Sequence, residues 1–174
     1  PTTYNVESQT FTLKNPTRTG YTFTGWMGSN GNTPKTSVTI SKGSYGDNSY
    51  TANWEPIRYT VKIHLNGGKI ATNTEWWSDI GNDTYQTTYT IESDSWNLSS
   101  LTRDYYDWKG WTGTDSGNTV TIPKGSTGNK EYWANWAPHT YTISYYLNGG
   151  SISGQPTEHT YGTENKIPRP TRNG

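Results

Sequence analysis

The stretch Gly20-Tyr21-Thr22-Phe23-Thr24-Gly25-Trp26 recurs 85 positions later as Tyr105-Tyr106-Asp107-Trp108-Lys109-Gly110-Trp111. In both copies, aromatic side chains alternate with polar ones before a glycine and a tryptophan. Alternation with a period of two is typical of a half-buried β-strand. Self-similarity at a fixed period indicates tandem repeats, so the stretch predicts a chain built from copies of one module.

Two further motifs recur 82 positions apart. Ala52-Asn53-Trp54 returns as Ala134-Asn135-Trp136, and Leu65-Asn66-Gly67-Gly68 returns as Leu147-Asn148-Gly149-Gly150. Asn-Gly between alternating apolar residues is a strong signal for a tight turn that ends a strand. Before the first of these turns, residues 59–65 alternate apolar and polar side chains, which predicts an opening strand for each module.

Prolines divide the chain into three predicted modules. Pro56 and Pro138 each follow a closing strand, where a residue that cannot donate to a ladder is tolerated. The sequence therefore predicts a partial module at 1–56 that lacks its first strand, a complete one at 57–138 with an insertion at 69–88, and the first half of another at 139–174. We call these the first, second and third repeats, and we expect the chain to be a fragment of a longer protein.

The predicted fold class is mainly β, with tandem small β-grasp-like modules and little helix. The alternation of Tyr, Val, Ile and Trp with Thr favours strands throughout. The best candidate for a turn of helix is the segment from Glu75 to Ile80.

Composition excludes several classes of partner. The net charge is +0, so no long-range field attracts the chain to nucleic acid or to an anionic membrane. No apolar run is long enough to span a membrane. Hydrophobic residues make up 28 % of the chain and aromatic residues 14 %, which favours small cores rich in aromatic rings. Because there is no cysteine, stability must come from packing and strand pairing.

The recurrent aromatic residues are predicted to form the structural core, because they occupy strand-alternating positions in both copies. They are Tyr21, Phe23, Trp26, Trp54, Tyr106, Trp108, Trp111 and Trp136. Their indole N–H groups need acceptors, and the carbonyls of neighbouring turns are the expected ones. Arg18, Arg103 and Arg172 also recur, as do Glu7 and Glu92, and an ion pair near a turn is the expected arrangement.

The aromatic residues that do not recur are candidates for ligand binding. They are Trp76, Trp77, Tyr85, Trp133 and Tyr146. Three interpretations are open: the insertion covers its own module and buries the rings, the rings stack on sugar, or they contact a protein partner.

No catalytic constellation stands out. The sequence has no G-x-S-x-G, P-loop or paired-carboxylate arrangement, and His64, His139 and His159 share no metal-ligand spacing. We therefore expect no enzyme activity, no catalytic residue, no metal site and no cofactor.

The motifs Leu-Asn-Gly-Gly, Pro-Thr-Arg-Thr-Gly-Tyr-Thr-Phe-Thr-Gly-Trp and Tyr-Thr-Ala-Asn-Trp resemble the Listeria–Bacteroides repeat, which is related to the internalin B-repeat. The resemblance extends over essentially the whole chain. It implies tandem modules of an extracellular, Gram-positive cell-surface protein, which act as a stalk or adhesive segment and attach through other parts of the parent protein. The second repeat departs from the pattern at its insertion and at Tyr105, which stands where Gly20 would be expected.

The resemblance and the aromatic residues together predict the partners. The leading function is a non-catalytic stalk or adhesive segment, and the alternative is a carbohydrate-binding module that uses the aromatic residues of the second repeat. A host or environmental glycan, or a surface protein, is the expected partner. The incomplete terminal modules also predict head-to-tail self-association, in which residues 140–147 pair near Tyr50 to Trp54 of a neighbouring molecule.

Overall fold

The computed structural model describes residues 2–70 and 75–172. Within them the regular structure is β, without helix, which confirms the mainly β class. The strands are β1 (Phe11–Thr12), β2 (Tyr21–Gly28), β3 (Gly31–Lys35), β4 (Thr39–Ile40), β5 (Tyr50–Pro56), β6 (Tyr59–His64), β7 (Ser78–Gly81), β8 (Thr84–Tyr89), β9 (Trp96–Leu98), β10 (Tyr106–Gly113), β11 (Val120–Ile122), β12 (Lys130–Pro138), β13 (Thr140–Thr142) and β14 (Glu158–Thr160).

The expected helical turn between Glu75 and Ile80 is wrong. Glu75 and Trp76 form a turn, and β7 begins at Ser78. The following residues Gly81, Asn82 and Asp83 all have positive φ, so the chain reverses there and β7 pairs antiparallel with β8. Because of this reversal, the backbone groups of β7 form ladder hydrogen bonds with β8. A short helix at the same place would not have these bonds.

The chain forms two compact units. The first unit contains Pro1–Thr60, Thr88–Ser95 and Pro123–Asn129, and the second contains Val61–Thr87, Trp96–Ile122 and Lys130–Gly174. Each unit therefore draws residues from more than one repeat. The repeat boundaries after residues 56 and 138 stay a prediction, as does the β-grasp-like arrangement of each repeat.

The first unit holds a three-stranded sheet in the order β3-β2-β5 and a small β1–β4 pair. β2 and β5 are antiparallel, with Phe23 opposite Trp54 and Trp26 opposite Ala52. The register shifts between Phe23 and Gly25. Gly25 has φ +139, and a Cβ there would lie 2.6 Å from the Lys35 nitrogen, so the Gly-Trp motif marks a bulge that only glycine fits.

The second unit holds a five-stranded sheet in the order β10-β12-β6-β8-β7, with separate β11–β9 and β13–β14 pairs. β10 and β12 repeat the antiparallel arrangement, with Trp108 opposite Trp136 and Trp111 opposite Ala134. Their register shifts between Trp108 and Trp111, around Gly110 at φ +95. β6 and β12 are parallel, from Val61 beside Lys130 to His64 beside Trp133.

The most deeply buried side chains are mostly aliphatic. They include Val61, Ile63 and Leu65 on the inward face predicted for the opening strand, together with Val38, Ile40, Leu98, Val120, Ile122, Ala134, Tyr89, Tyr132 and Trp111. Trp111 is 2 % exposed, whereas the other seven aromatic residues predicted for the core are half-buried. The aromatic rings therefore border the aliphatic core more than they fill it.

The third repeat pairs its opening strand inside its own chain. β13 is antiparallel to β14, with Tyr141 opposite His159, and the Ile143 N–H donates to the Thr157 carbonyl at 2.8 Å. Residues 143–146 form no strand, although they correspond to the residues of β6 that pair with β12. Self-association through the terminal repeats stays a prediction.

We expect Trp111→Ala to destabilise the protein by about 3–5 kcal/mol, the usual cost of removing a large buried aromatic side chain. Trp26→Ala is the matched control, because Trp26 holds the same place in the first repeat but is only half-buried. It should cost less. Urea unfolding followed by far-UV circular dichroism measures both costs. A Trp111→Ala variant that unfolds like the parent, or an equal cost for Trp26→Ala, would contradict this assignment of the core.

Candidate functional site

The same cluster of three aromatic rings occurs in two repeats. Phe23 lies edge-on to Trp26 at 5.4 Å and to Trp54 at 5.5 Å between ring centroids. The second repeat reproduces this cluster with Trp108 at the centre. Its ring lies 5.2 Å from Trp111 and 5.1 Å from Trp136, again edge-on. Edge-to-face packing is the favourable geometry for such rings, and it fixes β2 against β5 and β10 against β12.

Trp136 joins the last strand of the second repeat to the turn that follows the first strand. Its indole N–H donates to the Leu65 carbonyl at 2.9 Å. A Cβ on Gly68 would lie 2.4 Å from Cζ2 of the same ring, so this glycine makes room for the indole. The Asn66 side chain donates to the Ala134 carbonyl at 2.7 Å. The Leu-Asn-Gly-Gly and Ala-Asn-Trp motifs therefore bind each other.

Other indole N–H groups confirm the expected use of nearby loop acceptors. Trp108 donates to the Asn118 carbonyl at 3.1 Å and Trp111 donates to the Ser99 carbonyl at 3.2 Å. Trp26 differs, since it donates to the side-chain oxygen of Asn15 at 3.2 Å.

The expected arginine–glutamate ion pairs are wrong. The Arg18 guanidinium lies 3.7 Å from the centroid of the Tyr21 ring, and Arg103 lies 3.8 Å from that of Tyr106. The two tyrosines begin β2 and β10, so each arginine three residues earlier can fold back over the ring. Glu92 instead accepts a hydrogen bond from the Tyr21 hydroxyl at 2.8 Å. Cation–π contact therefore replaces the ion pair in both copies.

The first unit contains a junction between the first and second repeats. The Ile57 N–H donates to the Gly20 carbonyl at 2.9 Å. Gly20 has φ +78, and a Cβ there would lie 2.6 Å from Cδ1 of Ile91, so Ile91 packs directly on the glycine. Together with the Tyr21–Glu92 hydrogen bond, these contacts join the start of β2 to the segment that follows β8.

The second unit contains the corresponding junction between the second and third repeats. The His139 N–H donates to the Tyr105 carbonyl at 2.9 Å, as Ile57 does to Gly20. Tyr105 also adopts positive φ, at 67°, although it is not glycine. Its ring stacks on Tyr161 with centroids 4.6 Å apart and planes 18° apart, and Tyr161 also lies edge-on to Tyr106 at 5.6 Å. His139 Nε2 lies 3.1 Å from a carboxylate oxygen of Asp107.

The five residues predicted to bind ligand do not form one cluster. Trp76 is 77 % exposed beside β7, whereas Trp77 is half-buried and meets Trp96 edge-on at 5.9 Å. Tyr85 is half-buried in β8, and Tyr146 is 89 % exposed in the third repeat. No described ring contact or hydrogen bond joins two of the five predicted residues. One of the three interpretations was that the insertion covers its own module and buries its rings. Because Trp76 is exposed, that interpretation does not hold for this residue.

Trp133 belongs to a cluster that sequence reasoning did not predict. Its ring stacks on His64 with centroids 4.9 Å apart and planes 6° apart, and 39 % of Trp133 is exposed. His64 Nε2 lies 2.8 Å from Oε1 of Glu131, and Nδ1 lies 2.9 Å from the hydroxyl of Thr84. His64 is on β6, whereas Glu131 and Trp133 are on β12, so both contacts bridge the parallel pair.

Among residues 2–70 and 75–172, no group of three or more His, Asp or Glu side chains is placed to hold a metal ion. The same residues include no helix of a length and polarity suited to crossing a membrane.

A family model, that of the Listeria-Bacteroides repeat domain, matches residues 1–51 and 141–174. These two segments are therefore similar to the Listeria-Bacteroides repeat, the family that the motifs predicted. The match omits residues 52–140, so it is narrower than the coverage that the motifs predicted. Listeria-Bacteroides repeats are typical of bacterial surface proteins, and they are generally non-catalytic. No curated protein and no solved structure matches the chain.

Two residues of the junctions, Ile91 and Tyr161, were not predicted from the sequence. Tyr161 lies in no recurrent motif, and Ile91, which corresponds to Val6 in the repeat, carries no sign that its side chain packs on Gly20. The replacement of Gly20 by Tyr105 was the one available signal, because a bulky residue at a turn that requires positive φ needs compensation elsewhere.

We expect the Tyr21–Glu92 bond to show in the titration of Tyr21. The carboxylate of Glu92 accepts the phenol hydrogen and raises the pKa of Tyr21 above its ordinary value of 10.0, burial adds to this, and Arg18 acts in the opposite direction. Because the folded pKa is the higher one, the bond stabilises the fold below pH 10 and is lost as the pH rises through the folded pKa. NMR of Cζ-labelled tyrosine measures the pKa, and Glu92→Gln should lower it. Glu7→Gln is the control, and an equal effect of both substitutions would count against the bond.

Proposed function

We propose that this chain is a stalk segment of a bacterial surface protein, which holds adhesive parts of its parent away from the cell. The observation that supports it is the clamped junction, which occurs twice with different residues. In the first junction Ile91 packs on Gly20, and in the second Tyr161 stacks on Tyr105. In both, a backbone N–H of the next repeat donates to the carbonyl of the residue with positive φ, at 2.9 Å.

A stalk needs junctions that limit bending, because flexible linkers let successive modules collapse on one another. Only a few residues separate β5 from β6 and β12 from β13. Those short connections are held by hydrogen bonds and by side-chain packing together. Such a segment has no need of a reactive group, in agreement with the generally non-catalytic character of the family.

The bending of the second junction tests this function. Because the chain has no cysteine, a variant with both Ser116→Cys and Lys166→Cys carries spin labels at these two positions and nowhere else. Both residues are exposed, one in the second repeat and one in the third. Pulsed EPR should give one narrow distance distribution. Tyr161→Ser should broaden it, since losing a stacked pair worth about 0.5–1.5 kcal/mol lowers the equilibrium constant for the clamped junction about two- to twelvefold.

Tyr146→Ser is the matched control, because Tyr146 is a tyrosine of the same repeat that is 89 % exposed. It should leave the distribution unchanged. A broad distance distribution in the labelled chain without further substitution would show a flexible junction and would count against the stalk function.

Carbohydrate binding is a second candidate, supported by the exposure of Trp76. An exposed tryptophan offers a flat apolar face to the C–H surface of a sugar, and Trp77, the next residue, is held edge-on by Trp96. A glycan or a glycosylated surface protein of a host would be the partner of such a site.

A glycan array distinguishes this candidate from a stalk without ligand. We expect specific glycans to bind the unmutated chain and Trp76→Ala to reduce that binding about two- to twelvefold, the effect of losing one stacking contact worth about 0.5–1.5 kcal/mol. Tyr45→Ala removes an aromatic side chain that is 86 % exposed in the first repeat, and it should retain binding. If the unmutated chain binds no glycan, carbohydrate binding is ruled out, whereas the proposed stalk function is not affected.

A further inference from the structure

We infer that the parallel pair of β6 and β12 is a mechanical clamp, which resists unfolding when the second repeat is pulled along the chain. This inference rests on the proposed stalk function, because only a tethered surface protein transmits tension from repeat to repeat. It also assigns a role to the cluster of Trp133, His64 and Glu131, which the stalk alone does not explain.

The direction of pulling follows from the order of the strands. Tension enters the second repeat at the start of β6, near Tyr59, and leaves it at the end of β12, near Pro138. The two strands are parallel, and Val61 lies beside Lys130 at the start of both. The entering and leaving ends are therefore at opposite ends of the pair. Pulling them apart slides one strand along the other, so the ladder hydrogen bonds are loaded together rather than in succession.

Side chains lengthen the pair beyond its ladder. The ladder itself extends from Val61 beside Lys130 to His64 beside Trp133. Past its end, Asn66 donates to the Ala134 carbonyl at 2.7 Å and Trp136 donates to the Leu65 carbonyl at 2.9 Å. Each of these bonds connects the same two segments, so sliding must break them with the ladder.

The outward face of the pair carries a second set of bridging contacts. The His64 ring stacks on Trp133 at 4.9 Å, and His64 Nε2 lies 2.8 Å from Glu131. Sliding β6 along β12 separates the stacked rings and the hydrogen-bonded pair at the same time. The first repeat has Thr51 at the position of Trp133, so this reinforcement belongs to the second repeat.

Single-molecule pulling in two directions tests the clamp in the full chain. The absence of cysteine allows handles at Arg58→Cys with Thr140→Cys, which load the pair by sliding. Handles at Arg58→Cys with Thr127→Cys pull on the two strands from the same end, so the ladder opens one bond at a time. All three positions are exposed. We expect the unfolding force to be roughly twofold higher or more in the sliding direction, because its hydrogen bonds are loaded together.

Equal forces in the two directions, or a lower force on sliding, would overturn the clamp. Trp133→Thr, which installs the residue of the first repeat, should lower the sliding force and leave the opening force nearly unchanged. An unchanged sliding force would overturn the role of Trp133. Neither result bears on the spin-label distances across the junction, so the clamp and the stalk can fail separately.

Discussion

The second repeat depends on bringing its first strand beside its last one in parallel. Parallel neighbours cannot be joined by a tight turn, so the intervening chain must make a long crossover before the pair can close. In the described residues between β6 and β12, that crossover contains five strands, from β7 to β11. Closure is secured by Trp136, whose ring fits over Gly68 and whose N–H reaches the Leu65 carbonyl. The two most recognisable motifs of the sequence are thus the two sides of one contact.

Patterns local to one strand were predictable from the sequence, because alternation, turn residues and repetition act over a few positions. They identified β2, β5, β6, β10 and β12, the inward face of β6, and carbonyl acceptors for several indoles. Prediction failed where local signals were weak. The segment from Glu75 to Ile80 carries no clear period, and the reversal at Gly81 to Asp83 decided its conformation. The stacking of Arg103 on Tyr106 replaced the expected ion pair, because a tyrosine three residues away was the nearer partner.

The junction contacts could not be predicted from the sequence for a different reason. Gly20 and Ile91 are far apart in the chain, and no motif marks either as half of a pair. Tyr105 shows how one junction tolerates an unfavourable residue. Positive φ is costly for a tyrosine, and the stack on Tyr161 offsets that cost with ring contact that glycine could not provide. The departure from the repeat pattern is therefore a matched change on both sides of the contact.

The way each compact unit combines parts of successive repeats has a consequence for how such a protein can grow. A junction takes one half from the strand start near residues 20 or 105 and the other from the segment near residues 91 or 161. Every whole copy of the repeat carries both halves. A duplication of one full period that copies residue 20 together with residue 91, or residue 105 together with residue 161, therefore keeps both sides of a matched junction, whereas one that copies residue 91 together with residue 105 places Ile91 against Tyr105. Arrays of such repeats can lengthen or shorten by recombination of the first kind without new contacts having to evolve.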